Sequence, residues 1–194
     1  MILSNVEIHN ALNKGWLKIT PRPDPETPTE GADCPYQTSS VDLRLGSEIA
    51  YFKDGLAVNI DLRLGSFADL FGPNSHARTI TEDQPYSLGP HKFVLGKTME
   101  RVELPLIDDG PCLAARVEGK SSYARCGLLV HFTAPTIHAG FAGTVTLELI
   151  NFGPFPISLY PGAPICQLII EQVSGKPLRN DSQFQNQTHP SGNR

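Results

Sequence analysis

Short apolar runs punctuated by glycine and proline constrain the fold of this chain more than any other feature. The 17 Gly and 17 Pro among its 194 residues are scattered between these runs rather than gathered in one tract. Because glycine and proline favour tight turns, the pattern predicts many short β-strands joined by turns. A chain of this length supports one good core, so we predict a single, mainly β domain over residues 1–175.

Alternation of apolar and polar residues predicts the individual strands. Residues 41–45 alternate in this way, as a half-buried strand requires. Further strands are predicted at Ile49–Phe52, Leu56–Ile60, Lys92–Thr98, Cys112–Val117, Leu129–Thr133, Thr144–Ile150, Phe155–Leu159 and Ile165–Val173. A short helix precedes them, because Ser4 to Glu7 forms a capping box and Gly15 is a stop signal.

Two segments lack the apolar residues that a core requires. Residues 21–35 are rich in Pro, Thr, Asp and Glu, a composition that predicts a surface loop. From Lys176 onward the chain is polar, with Phe184 as its single aromatic residue, so we predict a tail over residues 176–194. We expect this tail to be frayed, or to be ordered by a ligand or by a neighbouring subunit.

Composition argues against several classes of partner. The formal net charge is -4, from 16 basic and 20 acidic residues, and no block of like charges occurs. Neither nucleic acid nor an anionic membrane is therefore an expected partner. No apolar stretch approaches the roughly 18 residues of a membrane span, and we expect a cytoplasmic protein. The four cysteines are too few and too widely spaced for a disulfide framework, which predicts free thiols.

A donor-rich run suits an anionic ligand, because it combines two cations and two hydroxyls with a glycine. The run reads Gly119, Lys120, Ser121, Ser122, Tyr123, Ala124 and Arg125. It is not a P-loop, since that motif requires a glycine five residues before Gly119 and the position holds Ala114. The alternative is a structural loop that leads into a short helix, with Ser121 or Ser122 as N-cap.

Glu148 is the candidate proton-transfer group. In the predicted strand that contains it, Val145, Leu147 and Leu149 share one face, and Glu148 lies on the opposite face with Thr144 and Thr146. The alternative is a solvated carboxylate on an exposed strand. Its apolar neighbours favour the proton-transfer role.

Histidines and tail amides supply weaker candidates. His131 and His138 bracket a loop between predicted strands, and no third metal ligand lies near them in the sequence, so we assign both a lining role at most. Gln183 and Gln187 belong to an amide-rich stretch that could both donate to and accept from a base edge or phosphate oxygens. The alternative for this stretch is disorder.

Together these features resemble the dCTP deaminase branch of the dUTPase-like superfamily, and the resemblance covers nearly the whole chain. It rests on blocks at Ile19–Pro23, Ser40–Gly46, Glu118–Arg125, Gly127–His131, Gly140–Gly143, Thr146–Glu148, Pro161–Gly162 and Gln167–Leu168. The resemblance implies a β-sandwich or distorted barrel that assembles as a homotrimer. It also implies active sites at subunit interfaces, and Mg²⁺ that accompanies the triphosphate of dCTP.

The same resemblance implies roles for individual residues. Glu148 would take a proton from the attacking water, while Ser121 and Arg125 would position that water and stabilise charge. The remaining implied substrate contacts are Lys120, Ser122, Tyr123, Ala124, His138, Thr146, Leu147, Gln167, Gln183 and Gln187. No zinc is expected, because the chain lacks a Cys-x-x-Cys pair and a His-x-Glu sequence.

Departures from the family pattern narrow the expected product. His138 stands where many members carry Asp, the residue that dUTPases use to activate water, so we expect dUTP and ammonia rather than dUMP. Lys120 replaces an Arg, and the tail lacks a Tyr and a Lys that some members carry. The alternatives are a bifunctional enzyme that forms dUMP and pyrophosphate, and a non-catalytic nucleotide-binding module. The sequence does not predict whether dTTP inhibits the enzyme.

Overall fold

A computed structural model describes most of the chain, namely residues 1–31, 34–55, 59–61, 63, 67–180 and 185–191. Gln183 lies outside these residues, and so does most of the predicted strand Leu56–Ile60. The two described residues of that strand, Asn59 and Ile60, have no strand conformation.

The N-terminal helix is confirmed as α1, Asn5–Asn13. It begins where predicted, because the Ser4 hydroxyl accepts a hydrogen bond of 3.3 Å from the Glu7 amide. The helix ends before Gly15, which adopts φ +71°. Its inner face, formed by Ile8, Ala11 and Leu12, is buried.

The described strands form two large sheets and a two-stranded ribbon. They are β1 (Lys18–Thr20), β2 (Tyr36–Gln37), β3 (Ser40–Arg44), β4 (Glu48–Phe52), β5 (Ser75–Thr79), β6 (Tyr86–Leu88), β7 (Phe93–Glu103), β8 (Leu113–Gly119), β9 (Leu128–Leu129), β10 (Thr136–Ile137), β11 (Ala142–Asn151), β12 (Ile157–Leu159) and β13 (Pro164–Gln172). One large sheet has the order β5-β4-β7-β11-β9, with β1 also paired to β7. The other has the order β10-β8-β13-β3-β2, and β12 pairs with β6.

Both large sheets contribute to one apolar core. Leu43 and Leu168 from the five-stranded sheet are fully buried, as are Val102, Leu147 and Leu149 from the six-stranded sheet. Sharing of one core by the inner faces of two sheets is the packing of a sandwich-like β protein. The predicted mainly β fold is therefore confirmed. The last strand ends at Gln172, and the division into a domain and a tail at residue 175 stays a prediction.

The long antiparallel pair of β7 and β11 forms the centre of the six-stranded sheet. Thr146 is the register partner of Lys97, and Glu148 is the partner of Leu95. The register shifts between Thr144 and Thr146. At this irregularity the Val145 amide donates to the Thr98 hydroxyl at 2.9 Å instead of to a backbone carbonyl.

The predicted strand Leu129–Thr133 is wrong in extent, because β9 ends at Leu129. Beyond it the chain leaves the six-stranded sheet and joins the other one, where the Pro135 carbonyl accepts from the Val117 amide at 3.0 Å. The short helix α2 (Phe67–Asn74) was not predicted from the sequence, whereas α3 (Ser121–Ala124) is the short helix of the alternative interpretation of residues 119–125. The N-cap position of α3 is Lys120, not Ser121 or Ser122, and no side chain caps this helix.

No helix among the described residues is long and apolar enough to cross a membrane. The four cysteines form no disulfides, as predicted.

Candidate active site

The outward face of β11 carries the predicted proton-transfer group. Its inward residues are buried, whereas Thr144, Thr146 and Glu148 are half-buried on the other face, which confirms the predicted alternation. The Glu148 side chain is 31% exposed. It is therefore neither a fully solvated carboxylate nor a core residue, and a small molecule could reach it.

His131 is the ionic partner of Glu148. Its Nδ1 lies 2.8 Å from Glu148 Oε2, and the imidazole side chain is only 10% exposed. The two atoms do not meet hydrogen-bond geometry, so the contact is one of charge at short range rather than an aligned hydrogen bond. The carboxylate is the largest influence on the imidazole, and it raises the pKa of His131 above the ordinary value of 6.5.

The pair can hold and exchange a proton close to solvent. A protonated His131 places a positive charge 2.8 Å from the carboxylate of Glu148, and a carboxylate is the form of the side chain that accepts a proton from water. The second ring nitrogen, Nε2, is also buried and has no hydrogen-bond partner among the described residues. Sequence reasoning assigned His131 only a lining role. His131 follows the apolar pair Leu128–Leu129 by two residues, which indicates that it lies close to the end of a strand. Only the pairing of β9 with β11 shows that this strand end lies beside Glu148.

A second polar cluster lies on the five-stranded sheet. Lys120 follows β8 and forms an ion pair with Asp42 of β3. The Gln167 amide on β13 donates to the other Asp42 oxygen at 3.3 Å. Side-chain exposures of 19% for Lys120 and 10% for Asp42 mean that solvent screens this pair only partly. The structure thus brings Lys120 and Gln167 together through Asp42, which was part of a family block but had no assigned role.

The predicted anion-binding run begins at the last residue of β8 and includes the exposed helix α3, which precedes β9 of the other large sheet. Ser121, Ser122, Ala124 and Arg125 are exposed, and Tyr123 packs partly against the core. Within the described residues, no hydrogen bond or ion pair joins Glu148 to Ser121 or to Arg125. One chain therefore does not connect these three residues directly.

Two further predicted residues differ in what they expose. His138 is exposed in the turn before β11. Leu147 is fully buried, so its side chain belongs to the core and only its backbone is available to a ligand. Among the described residues, no group of three or more His, Cys, Asp or Glu side chains is arranged to hold a metal ion.

Residues 185–191, which we call the tail strap, lie alongside β11 and bond to its backbone. The Asn186 amide donates to the Ala142 carbonyl at 2.6 Å, and the Thr144 amide donates to the Gln187 carbonyl at 3.1 Å. The Gln187 side chain donates to the Thr144 carbonyl at 2.8 Å and is nearly buried. The strap is thus ordered by contacts with the sheet of its own chain, which was not among the possibilities predicted for the tail.

Fold and site together define a two-sheet β protein with a carboxylate–imidazole pair beside an ordered tail, and with a separate cation-bearing loop. This combination suits an anionic ligand on which a proton-transfer reaction takes place. A family model described as dCTP deaminase-like matches residues 2–173. The chain belongs to this family, as the sequence blocks predicted.

Relatives and a solved structure agree with this assignment. The dCTP deaminase, dUMP-forming, of Dictyoglomus thermophilum is 39% identical over 199 residues, which cover 100% of this chain and 94% of the relative. The dCTP deaminase of Natronomonas pharaonis is 37% identical with the same coverage. The structure of 2'-deoxycytidine 5'-triphosphate deaminase from Agrobacterium tumefaciens superposes with a TM-score of 0.62 at 21% identity. This match covers 89% of this chain and 48% of that one, and it supports the fold alone.

Proposed function

We propose that this chain hydrolyses the exocyclic amine of dCTP, bound with Mg²⁺ on its triphosphate, to give dUTP and ammonia. The observation that carries the proposal is the contact of Glu148 with His131 on the open face of β11. The family and the names of full-length relatives supply the substrate class.

Glu148 is the group that moves protons in the proposed reaction. A water molecule adds to C4 of the cytosine and gives one proton to the carboxylate, which leaves a tetrahedral carbon that bears both oxygen and nitrogen. One proton passes to N3 of the ring, and the proton of the new hydroxyl passes to the amino nitrogen. The carbon–nitrogen bond then breaks, and ammonia leaves as the C4 carbonyl forms. Acid–base catalysis of this kind contributes about 10²- to 10⁴-fold.

Ser121 and Arg125 act on this reaction from another copy of the chain. In the proposed homotrimer the active sites lie at subunit interfaces, where the exposed α3 of one copy would meet Glu148 of another. Arg125 would then stabilise charge, and Ser121 would position the water. Lys120 would hold phosphate once the anion competes with Asp42, since an ammonium is a compact cation suited to phosphate.

The nucleotide product depends on whether the enzyme also hydrolyses dUTP. His138 stands in place of an acidic residue, so the site has no carboxylate at this position to activate the second water that would hydrolyse dUTP. This favours release of dUTP. Formation of dUMP and pyrophosphate is the second candidate, and the dUMP-forming activity in the names of several relatives favours it.

Incubation of the purified chain with dCTP and Mg²⁺ tests the proposal, with nucleotides separated by chromatography and ammonia measured in parallel. We expect equal amounts of dUTP and ammonia. Accumulation of dUMP and pyrophosphate would establish the second candidate, and unchanged dCTP would refute both. A zinc chelator should leave the rate of dCTP turnover unaltered. The same assay with added dTTP shows whether dTTP inhibits this turnover.

A further inference from the structure

The tail strap has little apolar surface with which to dock. Its sequence is Gln185, Asn186, Gln187, Thr188, His189, Pro190 and Ser191, so Pro190 is its single apolar side chain. Polar contacts must therefore hold it against the sheet, since burial of apolar area contributes little here. Its own backbone bonds to Ala142 and Thr144 reach only β11.

Two cations on β7 contact the strap from the neighbouring strand. Lys97 Nζ donates to the Thr188 carbonyl at 2.5 Å. The Arg101 guanidinium donates to the Asn186 side-chain oxygen at 2.9 Å. Hydrogen bonds from charged donors are stronger than those from neutral ones, so these two contacts are the strongest that the strap makes with β7.

Register places both cations beside the strap-binding threonines. Arg101 is paired with Thr144, and Lys97 is paired with Thr146. Paired residues share one face of a sheet, so the cations and the threonines lie together on the outward side, and their side chains contact the strap there.

This layer ends close to Glu148. The Thr146 hydroxyl donates to the Pro190 carbonyl at 3.4 Å, near the end of the described strap. Glu148 is the next residue on the same face of β11, about 7 Å further along the strand. Displacement of the strap would therefore remove one wall beside the proposed proton-transfer group.

An ionic chain extends the attachment to β4. Glu48 Oε2 lies 3.8 Å from Lys97 Nζ, and Glu48 Oε1 lies 3.3 Å from His189 Nδ1. The Lys97 side chain is 20% exposed and Glu48 is 25% exposed, whereas His189 is 61% exposed. Lys97 is thus the better protected anchor, and His189 is the weaker contact at the outer end.

We propose that Lys97 and Arg101 are positioning residues that hold the tail strap on β11 and so form one wall of the nucleotide site. The role in the nucleotide site rests on the proposed function, whereas the anchoring of the strap does not. Because the two cations act through the strap, they affect nucleotide affinity more than the chemical step.

Hydrogen–deuterium exchange tests the anchoring without reference to activity. We expect Lys97→Met and Arg101→Met to speed exchange of the strap amides in the full-length protein, including the Asn186 amide that bonds to Ala142. Lys53→Met is the matched control, since Lys53 also donates to a backbone carbonyl, that of Pro73 at 2.7 Å. Exchange of the strap at the wild-type rate in both β7 variants would overturn the anchoring.

A double-mutant cycle tests the effect on the nucleotide. Arg101→Met and Asn186→Ala should each raise the KM for dCTP by about 10-fold, the lower range for a charged hydrogen bond, with kcat within about 2-fold. The double variant should show no more than the larger single effect, because both changes remove one contact. If the double variant instead raises the KM by the product of the two single effects, Arg101 acts on the nucleotide itself. Unchanged KM values in all variants would show that the strap forms no wall of the site. If the wild-type chain leaves dCTP unchanged, the proposed function fails while the exchange result still decides the anchoring.

Discussion

A buried carboxylate, Glu100, joins the two large sheets. It is 3% exposed on β7, and its two oxygens accept from the Arg44 amide at 2.9 Å and from Arg44 Nε at 2.7 Å. Glu100→Gln keeps the shape but removes the charge and turns an amide nitrogen toward one of these donors. A hydrogen bond to a charged group contributes about 1.5–3 kcal/mol. Because the Arg44 side chain is 36% exposed and remains hydrated, we expect the free energy of unfolding to fall by about 2 kcal/mol.

Denaturant unfolding measures this loss directly, and a chain of this size should also lose about 4–8 °C in melting temperature. Glu103→Gln is the control on the same strand. Glu103 pairs with Arg101 and Lys18 but is 30% exposed, so its pairs should contribute less than about 1 kcal/mol. Equal losses for the two variants would refute the reasoning that burial makes the Glu100 contact strong.

Three further variants probe the site and its frame. The contribution of His131 to stability should be complete below pH 6.5 and decline as the pH rises through its raised folded-state pKa. The unfolding free-energy difference between wild type and His131→Asn should therefore shrink from pH 6 to pH 8.5, and a constant difference would contradict the ion pair with Glu148. Asp42→Asn should lower stability by about 1–3 kcal/mol by leaving Lys120 unpaired, whereas a loss no larger than experimental error would show a fully screened pair. Asn151→Ala removes the partner of three backbone groups and should cost about 2–4 kcal/mol in denaturant unfolding, well above an exposed Asn→Ala change.

Long strands with one buried face were predictable from the sequence. Alternation in residues 144–150 follows from burial of one side of β11, and the structure extends that strand only from Ala142 to Asn151. The two-residue strands β2 and β10 were not predicted, because two residues are too few to show an alternation of apolar and polar side chains. Their pairing depends on tertiary contacts, in the case of β10 with β8.

The sequence predicted individual residues of the candidate site better than it predicted the contacts between them. Glu148 could be chosen because its neighbours in the strand are apolar and because it belongs to a block of residues that resembles the family. Its contact with His131 could not, since the chain between β9 and β10 crosses from one sheet to the other in a way that no local pattern encodes. The order of the tail strap was missed for a related reason, because its partners are 40 or more residues away along the chain.

Replacement of Glu148 by Gln tests the central claim most directly. Ammonia release from dCTP should fall by about 10²- to 10⁴-fold, because the amide cannot accept the proton from water. Binding of dCTP, measured by equilibrium dialysis, should persist, and the control Glu118→Gln at a more exposed carboxylate should retain activity. Turnover of Glu148→Gln within about 10-fold of wild type would contradict the assignment of Glu148 as the proton-transfer group.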